Sequence, residues 1–222
     1  SWQTQVAAPG GGEEYGHAWM LLGPDLAPLA HGEFRFPMRG CYHVIALKGR
    51  EVHVAAVGDE IEPNEAWRKH KFEYTGKQWD YDCRQVFYAW TPDAVKVPFS
   101  PTLTVLSRDE TCGLANPLDI HRDAGGGIHL LMRVVNIGHR CVRDRFFPEL
   151  PIRVSLEYVR MIRGRVVERR TLAEAVERSI AETGPAPRGL SIWEQPPLVF
   201  DRPEPLGGVF QETPEGLHLL WM

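Results

Sequence analysis

Ile152-Arg153-Val154-Ser155-Leu156-Glu157-Tyr158 alternates apolar and polar side chains without a break; Arg163-Gly164 follows, and Val166-Val167 returns to apolar residues. Period-two alternation on both sides of a glycine-containing turn marks a β-hairpin with one face inward and the other in water. Strands are therefore expected at Ile152 to Tyr158 and at Arg165 to Thr171. The same texture extends outward. Tyr42, Val44 and Ala46 alternate with His43, Ile45 and Leu47 before a Lys48-Gly49 turn, and Val52, Val54 and Ala56 return. His17 to Leu22 and Leu29 to Phe36 flank Gly23-Pro24-Asp25. Pro, Gly and Asp punctuate the chain at intervals too short for most helices, so the expected class is all-β.

One helix is expected, from the capping box of Thr171 and Glu174 and the helical spacing of Leu172, Ala175, Val176, Ser179 and Ile180, with Gly184-Pro185 as its stop. Residues 1–12 read as an N-terminal strand, with Trp2, Thr4 and Val6 on one face, followed by the spacer Pro9 to Gly12. Residues 13–222 read as one domain.

The 222 residues are 43% hydrophobic and 24% charged, the balance of a globular protein. The formal net charge of -4 supplies no overall positive field, so nucleic acid is not an expected partner. Arg160, Arg163, Arg165, Arg169 and Arg170 alternate with apolar residues and read as a solvated strand face. No apolar run approaches the roughly 18 residues of a membrane helix. Cys41, Cys83, Cys112 and Cys141 lie far apart, without a C-x-x-C pair; they read as isolated thiols, with two disulfides as the alternative.

Similar short segments recur at Gly16-His17-Ala18-Trp19-Met20, Glu51 to Val57, Val86-Phe87-Tyr88-Ala89-Trp90, Gly127-Ile128-His129-Leu130-Leu131-Met132 and Gly216-Leu217-His218-Leu219-Leu220-Trp221. Read as the same strand of successive sheets, they space the units as propeller blades are spaced. Together with Trp90-Thr91-Pro92-Asp93, Ser107-Arg108-Asp109-Glu110-Thr111 and Arg143-Asp144-Arg145-Phe146-Phe147-Pro148, they give a chain that resembles the BNR-repeat, sialidase-like β-propeller proteins over about residues 15–222. The resemblance implies about four or five blades. The aspartate box S-x-D-x-G-x-T-W of those proteins is not present: Ser107, Asp109 and Thr111 match its start, and Cys112-Gly113 replaces its end.

The resemblance implies a carbohydrate-directed function, with a glycoside hydrolase and a noncatalytic glycan- or protein-binding propeller as the two readings. Phe34-Arg35-Phe36-Pro37 resembles the F-R-I-P segment of sialidases, which implies that Arg35 holds a substrate carboxylate. Propeller ligands sit where loops of several blades converge, so candidate groups are scattered. Hydrolysis needs paired carboxyl groups, and the candidates are Glu33, Asp82, Asp119 and Glu194. Tyr42, Tyr81 and Tyr158 are the available tyrosine nucleophiles, Tyr158 reading as core. Candidate binding residues are Arg35, His43, Arg84, His121, Arg140 and Trp193, with Arg39, Asp80, His139, Arg143 and Asp144 beside them. Trp67, Trp79 and Trp193, in polar contexts, are candidate sugar-stacking surfaces.

No cofactor is implied. No pair of histidines has the H-x-x-x-H spacing of a helical metal site, and His43 and His53 read as outward-facing. Gly125-Gly126-Gly127 lacks the lysine and helix of a phosphate loop and reads as a turn. Leu217 to Met222 reads as an apolar strand that needs a partner, expected to be Trp2 to Val6 and otherwise a second copy of the chain, which would make a homo-oligomer through the terminal strands.

Overall fold

The computed structural model describes residues 3–7, 13–76, 81–179, 185–190 and 197–222. These are all-β apart from two helices. Sheet I comprises β1 (Gln3–Ala7), β2 (Glu13–Leu22) and β3 (Pro28–Phe36). Sheet II is the meander β4 (Gly40–Lys48), β5 (Glu51–Ile61), β6 (Tyr81–Thr91) and β7 (Leu103–Leu106). Sheet III is a second meander, β8 (Leu114–Arg122), β9 (Gly127–Val135), β10 (Arg153–Ile162) and β11 (Arg165–Val176). Sheet IV is the hairpin of β12 (Gly208–Thr213) and β13 (Gly216–Trp221). Neighbouring strands in each are antiparallel. Helix α1 (Glu65–Thr75) joins β5 to β6, and α2 (Arg140–Phe146) lies between β9 and β10.

The sheets stack face to face in chain order, and the period-two alternation explains how. On β6, Val86 and Tyr88 point into a core shared with Ile128, Leu130 and Met132 of β9 and with Val159 and Met161 of β10. The alternate residues Phe87 and Ala89 point the other way, onto Phe34 and Phe36 of sheet I. Sheet II is therefore covered on both faces, and β5 and β6 accordingly read as near-continuous apolar runs. Sheet III is covered likewise. The face of β9 opposite Leu130 meets sheet IV through Leu131, against which Gly208 packs so closely that a Cβ there would stand 2.6 Å from Leu131 Cδ2. The opening strand of sheet III, β8, adjoins the opening strands of sheets II and IV, β4 and β12.

The expected hairpins at β2–β3, β4–β5 and β10–β11 are present, the last turning at Arg163-Gly164 with both residues at positive φ. The expected division of this hairpin into an apolar inner and a polar outer face is not kept: β11 exposes Val166 and Val167 along with its arginines, and β10 buries Ser155 and Glu157 because sheet III is covered on both faces. Gly125 to Gly127 closes the turn between β8 and β9, with Gly126 at positive φ.

Several expectations are corrected. Thr171 to Val176 is not helical but continues β11, where Thr171 pairs with Glu157 and Glu174 with Ser155. The capping-box residues spend their side chains across the sheet instead: the Thr171 hydroxyl donates to Glu157 at 2.9 Å, and Glu174 bridges to Arg153 at 3.3 Å. The five recurring segments are not one per sheet, because the β5 and β6 copies are neighbours in sheet II. β13 does not pair with the N-terminal strand; it pairs with β12, while β1 pairs with β2. A local hairpin closes with far less loop entropy than a pairing across the whole chain. His53 is buried, not outward-facing, and Trp67 lies buried on α1 rather than in a loop. None of the four cysteines is in a disulfide. Among the described residues no helix is long and apolar enough to cross a membrane.

Two aromatic side chains hold sheet I to sheet II. Phe36 is fully buried, 5.6 Å from the Phe87 ring, and replacing it with alanine should cost about 3–5 kcal/mol in urea unfolding. His17 is buried beside His43, their Nδ1 and Nε2 atoms 3.2 Å apart. Burial first, then the charge of His43, brings its pKa down from 6.5 to about 4. Between those values the unfolded chain binds a proton at this position that the folded protein refuses. Stability contributed by neutral His17 is thus complete above pH 6.5 and declines as the pH falls toward 4. The urea midpoint should fall less steeply over this window in His17→Phe than in the parent chain.

Candidate functional site

The densest chemistry lies at one end of sheets II and III, where the connections carrying α1 and α2 emerge. Asp82 opens β6, and its carboxylate is the hub. Oδ1 accepts from His139 Nε2 at 2.6 Å and from Lys71 Nζ at 3.1 Å; Oδ2 accepts from Lys71 Nζ at 2.9 Å and from Arg84 Nη2 at 3.2 Å. All four side chains are almost wholly removed from solvent. Asp82 and Arg84 share a face of β6 because they are two residues apart. Lys71 arrives from α1, which Asn64 starts by accepting from the Ala66 and Trp67 amides, and which Gly76 ends in the left-handed region at φ 71°. The buried face of α1 is Trp67, Lys71 and Thr75, one side chain per turn. His139 arrives from the residue that precedes α2.

Arg84 extends the network to Glu62, and the Cys112 thiol lies 3.3 Å from both Arg84 Nη2 and Glu62 Oε2. Trp67 covers the Arg84 guanidinium, 5.4 Å from its ring centroid. Burial alone would raise the Asp82 pKa, but the hydrogen bond and charge of His139, with Lys71 and Arg84, hold its carboxyl well below the usual carboxylate range. Burial, reinforced by repulsion from Asp82, pushes Glu62 up. Burial pushes the Cys112 thiol well above its ordinary value and so disfavours the free thiolate. Asp82, Cys112 and His139 do bring three potential ligand atoms within 4.8 Å of one another. The Asp82 oxygens are already taken by two cations and an imidazole, so the three residues stand within an ion cluster.

More arginines gather at the same end. Arg39, just before β4, bridges to Asp59 near the end of β5, which also accepts from the Cys41 thiol at 3.2 Å. The Arg108 amide donates to the Arg84 carbonyl at 3.1 Å. Arg140 and Arg143 follow His139 on α2, and Arg143 is fully buried between Asp144 and Glu177. Gly113 lets the β7–β8 connection approach sheet III closely enough to seat Cys112, since a Cβ there would meet the Val135 carbonyl at 2.6 Å and that of Asn136 at 2.7 Å.

The residues singled out from the sequence fall into distinct places. Asp82 and Arg84 are in contact, and Arg140 is joined to them through its neighbour His139. Arg35 and Glu33 lie on β3, half exposed and 3.7 Å apart, away from this cluster. His43 faces His17 between sheets I and II. Asp119 accepts from the Ile120 amide at 2.9 Å and the Phe210 amide at 2.7 Å, tying β8 to β12, and His121 stands 3.6 Å from Glu212. Tyr42 is exposed, and Tyr158 is buried in sheet III. Trp79, Asp80, Trp193 and Glu194 lie outside the described residues. Ser107 donates to Asp109 at 2.5 Å within the β7–β8 connection.

Sequence reasoning missed Glu62, Lys71 and Cys112. Lys71 sits four residues after Trp67 on a helix whose buried stripe is polar at two of its three positions, so no apolar periodicity announced it. It missed a repeated relay too. His53 Nδ1 lies 2.7 Å from the Tyr88 hydroxyl and Nε2 3.0 Å from Glu51; His129 Nδ1 lies 2.8 Å from the Tyr158 hydroxyl and Nε2 3.0 Å from Asp123. His53 pairs with Trp90 and His129 with Arg160, so each tyrosine precedes its histidine's partner by two residues. Sheets II and III thus carry the same carboxylate–histidine–tyrosine chain at the same diagonal.

Asp82→Asn should leave Lys71 and Arg84 buried with too little negative charge and destabilise the protein by about 3–5 kcal/mol in urea unfolding. Glu33→Gln, on an exposed pair, should change stability by less than about 0.5 kcal/mol.

No family model matches the chain, and neither a curated protein nor a solved structure matches it, so functional assignment rests on these side chains and their arrangement.

Proposed function

We propose that the four sheets are successive blades of a sialidase-like propeller and that the protein binds glycans bearing acidic sugars at the arginine-rich end, without cleaving them. Face-to-face stacking in chain order, with β8 adjoining β4 and β12, is the arrangement that blades around an axis adopt. In this reading the first strand of each blade lines the axis, and the connections bearing Arg39, Arg108 and α2 open onto one rim.

The observation that carries the ligand class is the gathering at that rim of Arg39 from the β3–β4 connection, Arg84 from β6, Arg108 from the β7–β8 connection, and Arg140 and Arg143 from α2. Guanidinium groups present planar paired donors that match carboxylates. Arg108 is partly exposed, and its Nε has no hydrogen-bond partner among the described residues, so the rim keeps donor capacity that its own carboxylates do not use. In this reading Arg39 and Arg108, rather than Arg35, meet the sugar carboxylate. Binding is favoured over hydrolysis by the condition of the carboxyl groups: Asp82 is locked ionised among cations, Asp119 is engaged by two backbone amides, and Glu33 stands on another sheet.

Calorimetry with a sialylated oligosaccharide and with a neutral one of equal length tests the reading. The acidic glycan should bind and remain intact, the neutral one should not bind, and Arg39→Ala or Arg108→Ala should weaken binding about tenfold, equivalent to about 1.4 kcal/mol. Equal affinity for both glycans would remove the acidic-sugar reading. Release of free sugar that disappears in Glu33→Gln, Asp119→Asn or Glu194→Gln would establish the hydrolase instead.

A further inference from the structure

Between sheets I and II lies a cavity of 520 Å³, walled by His17, Trp19, Phe34, Val54 and Phe99, with Met20, Ile45 and Leu47 exposed along it. This volume lies within the range of small-molecule sites. Among the described residues its lining holds no aspartate, glutamate, lysine or arginine, and it is separate from the arginine-rich rim.

The walls are built for a flat ring. Phe34 and Phe99 stack with centroids 4.9 Å apart, Trp19 lies 5.8 Å from Phe99, and His17 stacks on Phe34 at 5.2 Å. The indole of Trp19 lies across β3 at Gly32, where a Cβ would stand 2.8 Å from its Cζ2, so a glycine at that position clears the space for the ring.

Two polar atoms in these walls, Trp19 Nε1 and His17 Nε2, are buried and make no hydrogen bond among the described residues. Buried polar atoms are nearly always satisfied. An indole N–H can only donate, so what completes it must bring an acceptor. His17 engages His43 through Nδ1, which leaves Nε2 for a second group. Burial lowers the pKa of both histidines, so neither adds charge near neutral pH.

We propose that this cavity binds a planar, uncharged, largely apolar small molecule whose carbonyl or hydroxyl oxygen accepts from Trp19 Nε1 and reaches His17 Nε2. The aromatic walls take the ring system, and the two nitrogens fix its orientation.

The test uses the full chain and two uncharged fluorescent probes, 6-propionyl-2-(dimethylamino)naphthalene, which has a ketone, and N-phenyl-1-naphthylamine, which has none. Both should bind saturably with one site per chain. Ile45→Trp and Leu47→Trp, each placing an indole in the cavity from the β4 wall, should weaken both probes at least tenfold; circular dichroism identifies which variants fold, and either one suffices. Trp19→Phe keeps a ring but removes the donor. It should weaken the ketone probe about tenfold and leave the other within twofold. Absence of saturable binding to the parent chain would overturn the proposal, as would affinities unchanged in a folded occluding variant, or equal losses for both probes in Trp19→Phe. Binding of the sialylated oligosaccharide should be unaffected by these substitutions, which separates failure here from failure of the rim.

Discussion

Asp82 is the constraint on which the sheet II–sheet III end of this protein depends. A carboxylate this deeply buried is tolerable only when charge and hydrogen bonds surround it, and here the surrounding groups come from elements that have no other reason to meet: Lys71 from α1, Arg84 from β6 and His139 from the start of α2. The reverse also holds, since Lys71 and Arg84 are just as deeply buried and need Asp82 and Glu62. Each connection is thereby held to the sheets by charge where apolar area is scarce. The small apolar cluster of Trp67, Cys112, Cys141 and Val142 packs beside the ion cluster and shields it from water.

Sheet packing follows a different logic. Sheets II and III have apolar residues on both faces, so neither would be stable alone, and each sheet contributes one face to the core on either side of it. The two carboxylate–histidine–tyrosine chains add polar fastenings inside this apolar stack. Stacking of His53 on Trp90 and contact of Phe210 with both His129 and Tyr158 keep those fastenings covered. A histidine with both nitrogens engaged is fixed in orientation, which suits a structural part repeated from one sheet to the next.

His17 and Trp19 depart from the pattern of His53 and His129. Those two histidines have carboxylate and tyrosine partners, whereas His17 Nε2 and Trp19 Nε1, buried in the walls of an aromatic cavity between sheets I and II, have none among the described residues. The contrast with His53 and His129 is what makes the cavity a candidate for a ligand rather than a packing defect.

The strands and hairpins were legible in the sequence because alternation and turn residues act locally: Ile152 to Thr171 folds as its own pattern dictates, whatever it packs against. Asp82, Arg84, His139 and Arg140 were legible as chemistry-bearing residues near strand ends. Their contact was not, because it depends on how two connections cross the end of a sheet stack, and no local pattern encodes that. Helix α1 was missed for a related reason: its buried face centres on Lys71, whose burial makes sense only once Asp82 stands opposite. Thr171 and Glu174 show the converse, a sound local helix signal overridden because Glu157 and Arg153 were waiting across the sheet. The sequence by itself determined the hairpins β2–β3, β4–β5 and β10–β11, because alternation and turn residues act between near neighbours. The tertiary structure alone decided which charges meet, because the energy of a buried ion depends on partners that are remote in the chain.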